Sequence, residues 1–405
     1  MNYTFISFKE KIMQKVIIKK LGPIEDCEIE IKPFTILIGE SGSGKSIILR
    51  TISLLKWVYK KMQYKNLLKA SAVKSDSIRL SLDKIARDAM LDDYLTKDSY
   101  IELQIDNQTI ISIKDKKLKP NYKNISTSHF LLGKIVFLNE NRTALAEILS
   151  TAGGRKAKFS YYTDDMIDVF YEAFDAIGEN FSLHTVKIKL NSSTAVGHKQ
   201  FLINRNGKKI KFEHASSGEK NASVLELISY YFSDKYELTE SFNKNINALL
   251  LNNSLFQKDK MERLVKFLGK LEITKQLTLL IEEPESNLFP SNQRNLTYFL
   301  SSLQEMKNNP EVIFSTHSPY ILTVINNLLY SYEIAQNNEL SQKINAIVPK
   351  KCQLNIDNLS AYAIKNGKAE SIIDKETKLI DAEYIDHISD ELAYDFNKMC
   401  GIFQQ

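Results

Sequence analysis

Phe34-Thr35-Ile36-Leu37-Ile38 runs directly into Gly39-Glu40-Ser41-Gly42-Ser43-Gly44-Lys45-Ser46, and this stretch decides the fold class of the chain. The first five residues form a continuous β-prone run of the kind that makes a buried strand. A helix with a broad apolar face is predicted from Ser46 to Met62. The eight residues between strand and helix match the pattern G-x-x-x-x-G-K-S, in the structural context where that pattern binds phosphate.

This phosphate loop, residues 39–46, has the residue types that nucleotide binding requires. Its glycines let successive backbone N–H groups turn toward a phosphate, and the helix N-terminus adds a partial positive charge. Lys45 would reach the β- and γ-phosphates, and the Ser46 hydroxyl would bind Mg²⁺. We therefore predict ATP and Mg²⁺ as cofactors, bound by all eight residues of the loop.

The composition is that of a globular protein that is not expected to depend on disulfide bonds or a structural zinc ion. The 405 residues are 43% hydrophobic and 25% charged, with a formal net charge of +5. Cys27, Cys352 and Cys400 are too far apart in sequence for a zinc-ligand pattern, and three cysteines make no even disulfide framework. No apolar run reaches the roughly 18 residues of a membrane helix. We therefore expect a cytoplasmic protein without a membrane partner, and the small positive charge permits nucleic acid without indicating it.

A pair of carboxylates follows a second apolar run. Leu277 to Ile281 is predicted as a buried strand, and Glu282 and Glu283 come directly after it. A phosphate loop needs a carboxylate on a neighbouring strand end for the Mg²⁺ shell, and hydrolysis needs a base that orients water. Glu282 suits the metal role and Glu283 the role of base, although alone such a pair is typical of any strand that reaches solvent.

Two shorter motifs each have an ordinary structural interpretation. The signature segment, Ser216-Ser217-Gly218-Glu219-Lys220, begins a predicted helix, and its Ser-x-x-Glu spacing also describes a helix cap. Thr316-His317-Ser318-Pro319 follows the predicted strand at Val312 to Phe314. A lone histidine is usually structural, yet the end of this strand lies at the same sheet edge as Glu283.

Together these motifs resemble the ATP-binding-cassette type heads of the SMC and overcoming-lysogenisation-defect (OLD) ATPases. The passages KKLGPIEDCEIEIKPFTILIG, SSGEK, IEEPESNLFP and STHSPYIL look most like the OLD-type ATPases of bacterial anti-phage systems, over most of residues 15–330. The resemblance implies an α/β fold: an ABC-type P-loop NTPase head with a mixed sheet flanked by helices, helical insertions and a small C-terminal α+β extension.

The resemblance also implies a homodimer or higher homo-oligomer in which each ATP lies between one phosphate loop and the partner's signature segment. Ser217, Gly218 and Glu219 would then contact nucleotide bound by the other protomer. His317 would sense the γ-phosphate, and Glu283 would act as the catalytic base. Ser46 and Glu282 would hold the metal.

Three positions depart from the family pattern or match it without a derivable role. Phe289 stands where transporter cassettes carry an aspartate. The glutamine expected after the strand Lys134 to Leu138 is missing, and Asn139 or Asn141 is the candidate to replace it. Arg142 matches a family arginine, but sequence alone gives it no function.

The spacing of the motifs along the chain predicts the domain boundaries. Residues 1–330 would form the head, with an insertion at about 57–130 and a helical insertion at about 234–270, and residues 331–405 a small extension. The first insertion is rich in lysine, with 13 lysines and 2 arginines against 9 acidic residues over 56–123. The 75 positions from Arg142 to Ser217 are too few for the long coiled coil of SMC proteins.

Two functions fit this sequence. The first is an ATPase subunit that senses an invader or DNA and controls a separate effector, a nuclease or toxin, because the acids of the C-terminal segment show no two-metal nuclease pattern. The alternative is a stand-alone repair-type ATPase in which the lysines of residues 56–123 contact DNA. A transporter cassette is disfavoured because the sequence around Glu283 and His317 does not resemble that of transporters.

Overall fold

A computed structural model describes residues 13–71, 78–126, 128–151, 157–195, 198–251, 263–264, 266–381 and 393–400. Its strands are β1 Gln14–Leu21, β2 Ile24–Ile31, β3 Phe34–Ile38, β4 Tyr100–Ile105, β5 Gln108–Lys114, β6 Lys117–Pro120, β7 His129–Leu138, β8 Phe181–Ser182, β9 Lys189–Ala195, β10 His198–Arg205, β11 Lys208–Lys211, β12 Glu272–Glu282, β13 Glu311–Thr316, β14 Leu359–Lys365 and β15 Lys368–Ser371.

The helices are α1 Lys45–Ala70, α2 Leu82–Asp88, α3 Arg142–Ser150, α4 Tyr161–Ile177, α5 Ser217–Tyr230, α6 Leu238–Leu251, α7 Pro290–Ser302, α8 Pro319–Ala335 and α9 Asn338–Ile347. The predicted strand–loop–helix at the phosphate loop is confirmed as β3 and α1, and the predicted helix after the signature segment is α5. None of the described helices is long and apolar enough to cross a membrane.

Two sheets are present in the described part of the chain. The larger has 11 strands in the order β6-β5-β4-β1-β2-β15-β14-β3-β13-β12-β7, and the smaller is β11-β10-β9-β8. In the larger sheet β14, β3, β13, β12 and β7 are parallel, while β1, β2, β4, β5 and β6 pair antiparallel. This is the predicted α/β P-loop NTPase fold with a mixed sheet flanked by helices.

The larger sheet is covered on both faces. Phe34 and Ile36 of β3 pack into one apolar cluster with helices α4, α5, α7 and α8. Leu37 points to the opposite cluster, where the first half of α1 packs on the sheet. Strands buried on both faces read as continuous apolar runs, which is why Phe34–Ile38 carries no polar alternation.

The expected insertion at residues 57–130 contributes helix and strand to the head in which it was placed. Its first 14 residues continue α1 without a break to Ala70, and β4, β5 and β6 extend the larger sheet through the pairing of β4 with β1. The segment is thus part of the head. Sequence could not reveal this pairing because the partner strand β1 lies more than 80 residues earlier in the chain.

The boundary expected between residues 330 and 331 stays a prediction, and it falls inside a helix. Helix α8 continues to Ala335, and β14 lies in the middle of the larger sheet, parallel to β3. The C-terminal segment therefore supports the strand that carries the phosphate loop. In the expected helical insertion at 234–270, α6 is present, and residues 252–262 lie outside the described residues.

Candidate nucleotide site

The phosphate loop leaves the carboxyl end of β3 in a conformation that two of its glycines make possible. Gly39 has φ 154°, and a Cβ there would lie 2.5 Å from the carbonyl oxygen of Ile364 in β14. Gly44 has φ 105°, and a Cβ there would lie 2.4 Å from Ile24 Cδ1. Only glycine accommodates both the positive φ and the close approach. The loop is therefore shaped against strands β2 and β14.

Lys45, the first residue of α1, is buried and directed back into the loop. Its Nζ donates to the carbonyl oxygens of Gly39 and Glu40, each at 2.7 Å. Burial lowers the pKa of the ammonium to about 8, although nearby carboxylates, Glu283 first, oppose the shift. The charge therefore rests on weak carbonyl partners, which a phosphate oxygen would replace with a stronger, charge-assisted contact.

Glu282, at the end of β12, has a buried carboxylate next to the start of α1. Its side chain hydrogen-bonds Ser46, and Oε2 accepts from the Glu140 backbone N–H at 3.4 Å. Oε1 lies 3.4 Å from Arg50 Nε but has no hydrogen-bond partner. Burial raises the pKa of this carboxyl. A buried carboxylate oxygen without a partner, beside a serine hydroxyl, fits a hard divalent cation such as Mg²⁺.

Glu283 and His317 form a hydrogen-bonded pair beside Lys45. His317 Nε2 lies 2.8 Å from Glu283 Oε1, and Nδ1 lies 3.5 Å from Lys45 Nζ. Since an ammonium only donates, we assign the ring proton to Nε2, which donates to the carboxylate. Glu283 also has φ 42°, a left-handed conformation that is uncommon outside glycine and occurs at functional sites.

Glu285 is a site residue for which the sequence suggested no role. Its Oε1 accepts from the Thr316 hydroxyl and from the His317 backbone N–H, both at 2.7 Å. Burial raises the pKa of this carboxyl. Glu285 thus fixes the loop that presents His317. In the sequence, only its position two residues after Glu283 could have indicated that Glu285 belongs to the site.

The signature segment contains a complete capping box. Ser216 Oγ accepts from the Glu219 N–H at 3.3 Å, and Glu219 Oε2 accepts from the Ser216 N–H at 3.0 Å. Glu219 also receives a hydrogen bond from Arg205 of β10. Its carboxylate is therefore used within the chain. Ser217, the next residue, is exposed at the first position of α5.

Gly218 allows the signature segment to pack against the loop after Glu283. A Cβ at Gly218 would lie 2.6 Å from the carbonyl oxygen of Asn287 and 3.3 Å from Leu288 Cδ2. The signature segment therefore rests on residues that follow the proposed base. Within the described residues, no hydrogen bond or ion pair joins 216–219 to the phosphate loop.

Arg142, the first residue of α3, is fully buried and ties several of these parts together. Nη1 donates to the carbonyl oxygens of Leu138 and Glu282 at 3.0 and 2.7 Å, and Nη2 donates to that of Glu283 at 2.7 Å. Nη1 also donates to the Asn139 carbonyl oxygen. Sequence identified this arginine but not its partners, because they lie up to 141 positions away.

The asparagines that were candidates for the missing glutamine have different environments. Asn139 is buried, and its amide donates to Thr163 Oγ1 at 3.3 Å while Oδ1 accepts from the Asn141 N–H at 3.1 Å. This side chain is thus committed to internal contacts. Asn141 is exposed at the start of α3, so it is the one of the two whose side chain is open to solvent.

The structure therefore brings most predicted site residues to one edge of the larger sheet. Lys45, Ser46, Glu282, Glu283 and His317 are linked by direct contacts at the ends of β3, β12 and β13. The signature segment is joined to this group through the loop after Glu283 and through α3. In the part of the chain that the structure describes, one protomer holds the phosphate loop and the carboxylates, with no hydrogen bond or ion pair from its own signature segment to that loop.

Comparison with protein families gives one match. The family model described as "AAA domain, putative AbiEii toxin, Type IV TA system" matches residues 112–323, slightly more than half of the chain. That span includes Arg142, the signature segment, both carboxylates and His317, whereas the phosphate loop precedes it. No curated protein matches the sequence.

Solved structures with similar folds are distant in sequence. An SMC head domain from Thermotoga maritima is 13% identical, with a TM-score of 0.34, over 89% of this chain and 98% of that one. An ATP-binding cassette in a dimeric post-hydrolysis state with ADP and Pi is 12% identical, with a TM-score of 0.31, over 88% and 96% of the two chains. The fold assignment rests instead on the strand order and the phosphate loop described above.

Proposed function

The chain belongs to this AAA domain family, and we propose that within it the protein is a magnesium-dependent ATPase whose ATP-bound dimer controls a separate effector. The observation that carries the catalytic part is the chain of contacts from Lys45 through His317 to Glu283 at the mouth of the phosphate loop. It places a cation for phosphate and a carboxylate for water within one cluster.

Each side chain has a distinct task in this proposal. Lys45 exchanges its two carbonyl partners for phosphate oxygens. Ser46 and Glu282 would hold Mg²⁺, which when bound neutralises charge on the phosphates. Glu283 accepts a proton from water as the water oxygen attacks the γ-phosphorus and ADP leaves. His317 holds the Glu283 carboxylate in position, and Glu285 holds the backbone of His317.

Exposed groups near the site support a dimer of two heads. Ser217 is exposed, and among the described residues no hydrogen bond or ion pair joins it to the phosphate loop of its own chain. Phe289, in the loop on which Gly218 rests, is 72% exposed, and Tyr320, three residues after His317, is 53% exposed. Large aromatic side chains on a surface are the kind of group that interfaces bury. A second copy of this chain would cover them and complete each site with a signature segment.

The experiment that tests the catalytic part is a steady-state assay of phosphate release. We expect ATP hydrolysis that requires Mg²⁺ and stops with a chelator. Sedimentation of the Glu283→Gln variant with ATP tests the dimer by measuring the mass of the particle. The comparison is the double variant that also carries Phe289→Ala. Absence of ATP hydrolysis at all Mg²⁺ concentrations would contradict the proposal.

The family description supports the control of an effector. The matching family is described by a toxin and a Type IV toxin–antitoxin system. An ATPase head that closes on ATP would bind or release such a partner. A pull-down from the native host with Glu283→Gln as bait, compared with Lys45→Ala, should enrich a nuclease or toxin only with the ATP-trapped form.

A repair-type ATPase that contacts DNA is the second candidate. Lys61, Lys65 and Lys69 recur every four residues on α1, with Lys61 Nζ 5.2 Å from the Trp57 ring centroid. Lysines on one helix face provide a non-specific phosphate contact. DNA binding that weakens steeply with salt, and that a triple alanine variant of these lysines loses, would favour this candidate.

A further inference from the structure

A cavity outside the nucleotide site lies between α1, α2, β7 and α4. Its volume is about 200 Å³. Its lining includes Trp57 from α1, Ile85 from α2, Phe137 from β7 and Tyr162 from α4. The α1 residue of the lining that is nearest to the phosphate loop in sequence is Ser53, seven residues after Ser46, a rise of about 10 Å at 1.5 Å per residue. The cavity is therefore separate from the phosphate loop.

Flat aromatic surfaces form much of the wall. Tyr162 stacks on Phe137 with ring centroids 4.1 Å apart, and Tyr161 meets Tyr162 edge-on at 5.6 Å. Tyr161 is 47% exposed, so the cavity has access to solvent on this side. Tyr162 also hydrogen-bonds Ser53. These contacts hold the rings in fixed orientations, which favours a flat ligand.

Opposite charges line the cavity, and one of them, Lys134, also has its Nζ 5.0 Å from the ring centroid of Phe232, which lies outside the lining. Lys60, Lys134 and Asp165 all line it, yet within the described part of the chain no hydrogen bond or ion pair joins them. Burial lowers the pKa of Lys60 to about 8, with Lys134 and Lys61 adding to the shift and Asp165 opposing it. Burial likewise raises the pKa of Asp165. The ammonium and carboxylate groups are thus poorly solvated and held apart across a gap.

The size and the polarity of the cavity together indicate the class of ligand that it can bind. A cavity of about 150 Å³ holds benzene, and drug-sized ligands occupy roughly 300 to 1,000 Å³, so 200 Å³ suits one flat ring system. A purine has ring nitrogen and carbonyl acceptors for lysine and amino or imino donors for a carboxylate. Asp88 also lines the cavity, so the charged groups there balance and favour a neutral ligand over a simple anion.

We propose that this cavity binds a purine base, stacked between Trp57 and the Phe137–Tyr162 pair, with Lys60 and Lys134 donating to its acceptors and Asp165 accepting from its donors. The base is either that of a free nucleoside or one exposed in a single strand, since both present the same edges. None of the residues that line this cavity is assigned to ATP or to the dimer in the proposed function.

Trp57 is the only tryptophan in the chain, so its fluorescence reports on the cavity alone. Guanosine and adenosine carry no phosphate and are therefore suitable probes. We expect saturable quenching by at least one of them, weaker with cytidine, and affinity at least about tenfold lower in Asp165→Asn and Lys134→Gln. A short single-stranded oligonucleotide, titrated in parallel, distinguishes the two sources of the base.

Two matched variants isolate the site. Lys343→Ala, an exposed lysine of α9 outside the lining, should bind the nucleoside as the wild type does. Lys45→Ala should also bind it unchanged although it loses ATP, which separates this proposal from the proposed function. Equilibrium dialysis of wild-type protein with labelled guanosine and adenosine gives a readout that needs no variant to fold. Absence of binding in dialysis, or equal affinity in Asp165→Asn, would overturn the proposal.

Discussion

Arg142 Nε donates to Asn221 Oδ1 at 2.7 Å, and this hydrogen bond joins the start of α3 to the helix that begins with the signature segment. The same guanidinium binds the backbone carbonyls of Glu282 and Glu283. Asn221 in turn donates to the carbonyl oxygens of Pro284 and Ser286 at 3.0 and 2.7 Å. The backbone at Glu282 and Glu283 and the helix that begins with the signature segment are therefore fixed to one another within a protomer.

Asn221→Ala should uncouple the two parts without removing a catalytic group. It leaves the Arg142 Nε–H unpaired in the interior, at a cost of about 1 to 3 kcal/mol of folding free energy. We expect reduced turnover per folded molecule with ATP binding retained, measured by phosphate release and by nucleotide titration. Arg142→Lys, which keeps the charge but loses the planar set of donors, should be more severe. Unchanged turnover in Asn221→Ala would show that this contact is only structural.

Lys45→Ala should abolish detectable nucleotide binding. The variant removes the only point charge among the backbone donors of the loop, and charge-assisted contacts are the strong ones in phosphate recognition. Calorimetric titration with a non-hydrolysable ATP analogue measures the loss. Lys343→Ala, an exposed lysine of α9, is the control and should bind normally. Tight binding by Lys45→Ala would exclude the assigned role.

Glu283→Gln should bind ATP but hydrolyse it about 10² to 10⁴ times more slowly, the usual effect of losing a general base. The amide keeps a hydrogen-bond partner for His317, so the local geometry should persist. Single-turnover measurements separate hydrolysis from release. If Glu283→Gln turned over at the wild-type rate, the base would lie elsewhere, and His317→Asn would be tested next.

ATP affinity should depend on pH through Lys45. Burial lowers the pKa of this ammonium from 10.5 to about 8, so above pH 8 the free protein has lost the proton that phosphate binding requires. Affinity should then fall as pH rises from 8, approaching tenfold per unit, with proton uptake on binding. Calorimetry at pH 8.5 in two buffers of different ionisation enthalpy measures that uptake. Lys45→Arg stays charged over this range and should lose the dependence.

Mixing two inactive variants tests whether the signature segment acts across a dimer. Gly218 is unsuitable for this, since any side chain there would meet the Asn287 carbonyl of its own chain. Ser217 is exposed, so Ser217→Arg obstructs a partner without an internal clash, and Ser217→Ala is the mild control. When the Ser217→Arg chain is mixed with the Lys45→Ala chain, each heterodimer has one intact composite site, made from the phosphate loop of the first chain and the signature segment of the second. Recovered ATPase activity supports action across the dimer, whereas normal activity of Ser217→Arg alone contradicts it.

Local sequence was sufficient for the elements that bind phosphate. Neighbouring residues encode three features: the strand Phe34–Ile38, the glycine pattern up to Ser46, and the two carboxylates at the end of β12. They can do so because backbone conformation and helix-terminus chemistry are local properties. Asn206-Gly207, a dipeptide typical of hairpin turns, likewise joins β10 to β11. Such features do not depend on the rest of the chain.

The tertiary structure alone decided which distant segments support the site. β14 pairs with β3 from more than 320 positions away, and its Ile364 carbonyl defines the space at Gly39. Arg142 and Glu285 acquire their roles only when β7, β12 and β13 become neighbours. Strand pairing and buried hydrogen bonds between remote residues depend on global packing, and a single sequence has no local pattern that specifies them. The sequence determined the chemistry of the phosphate loop and the carboxylate pair, and the fold determined what holds them in place.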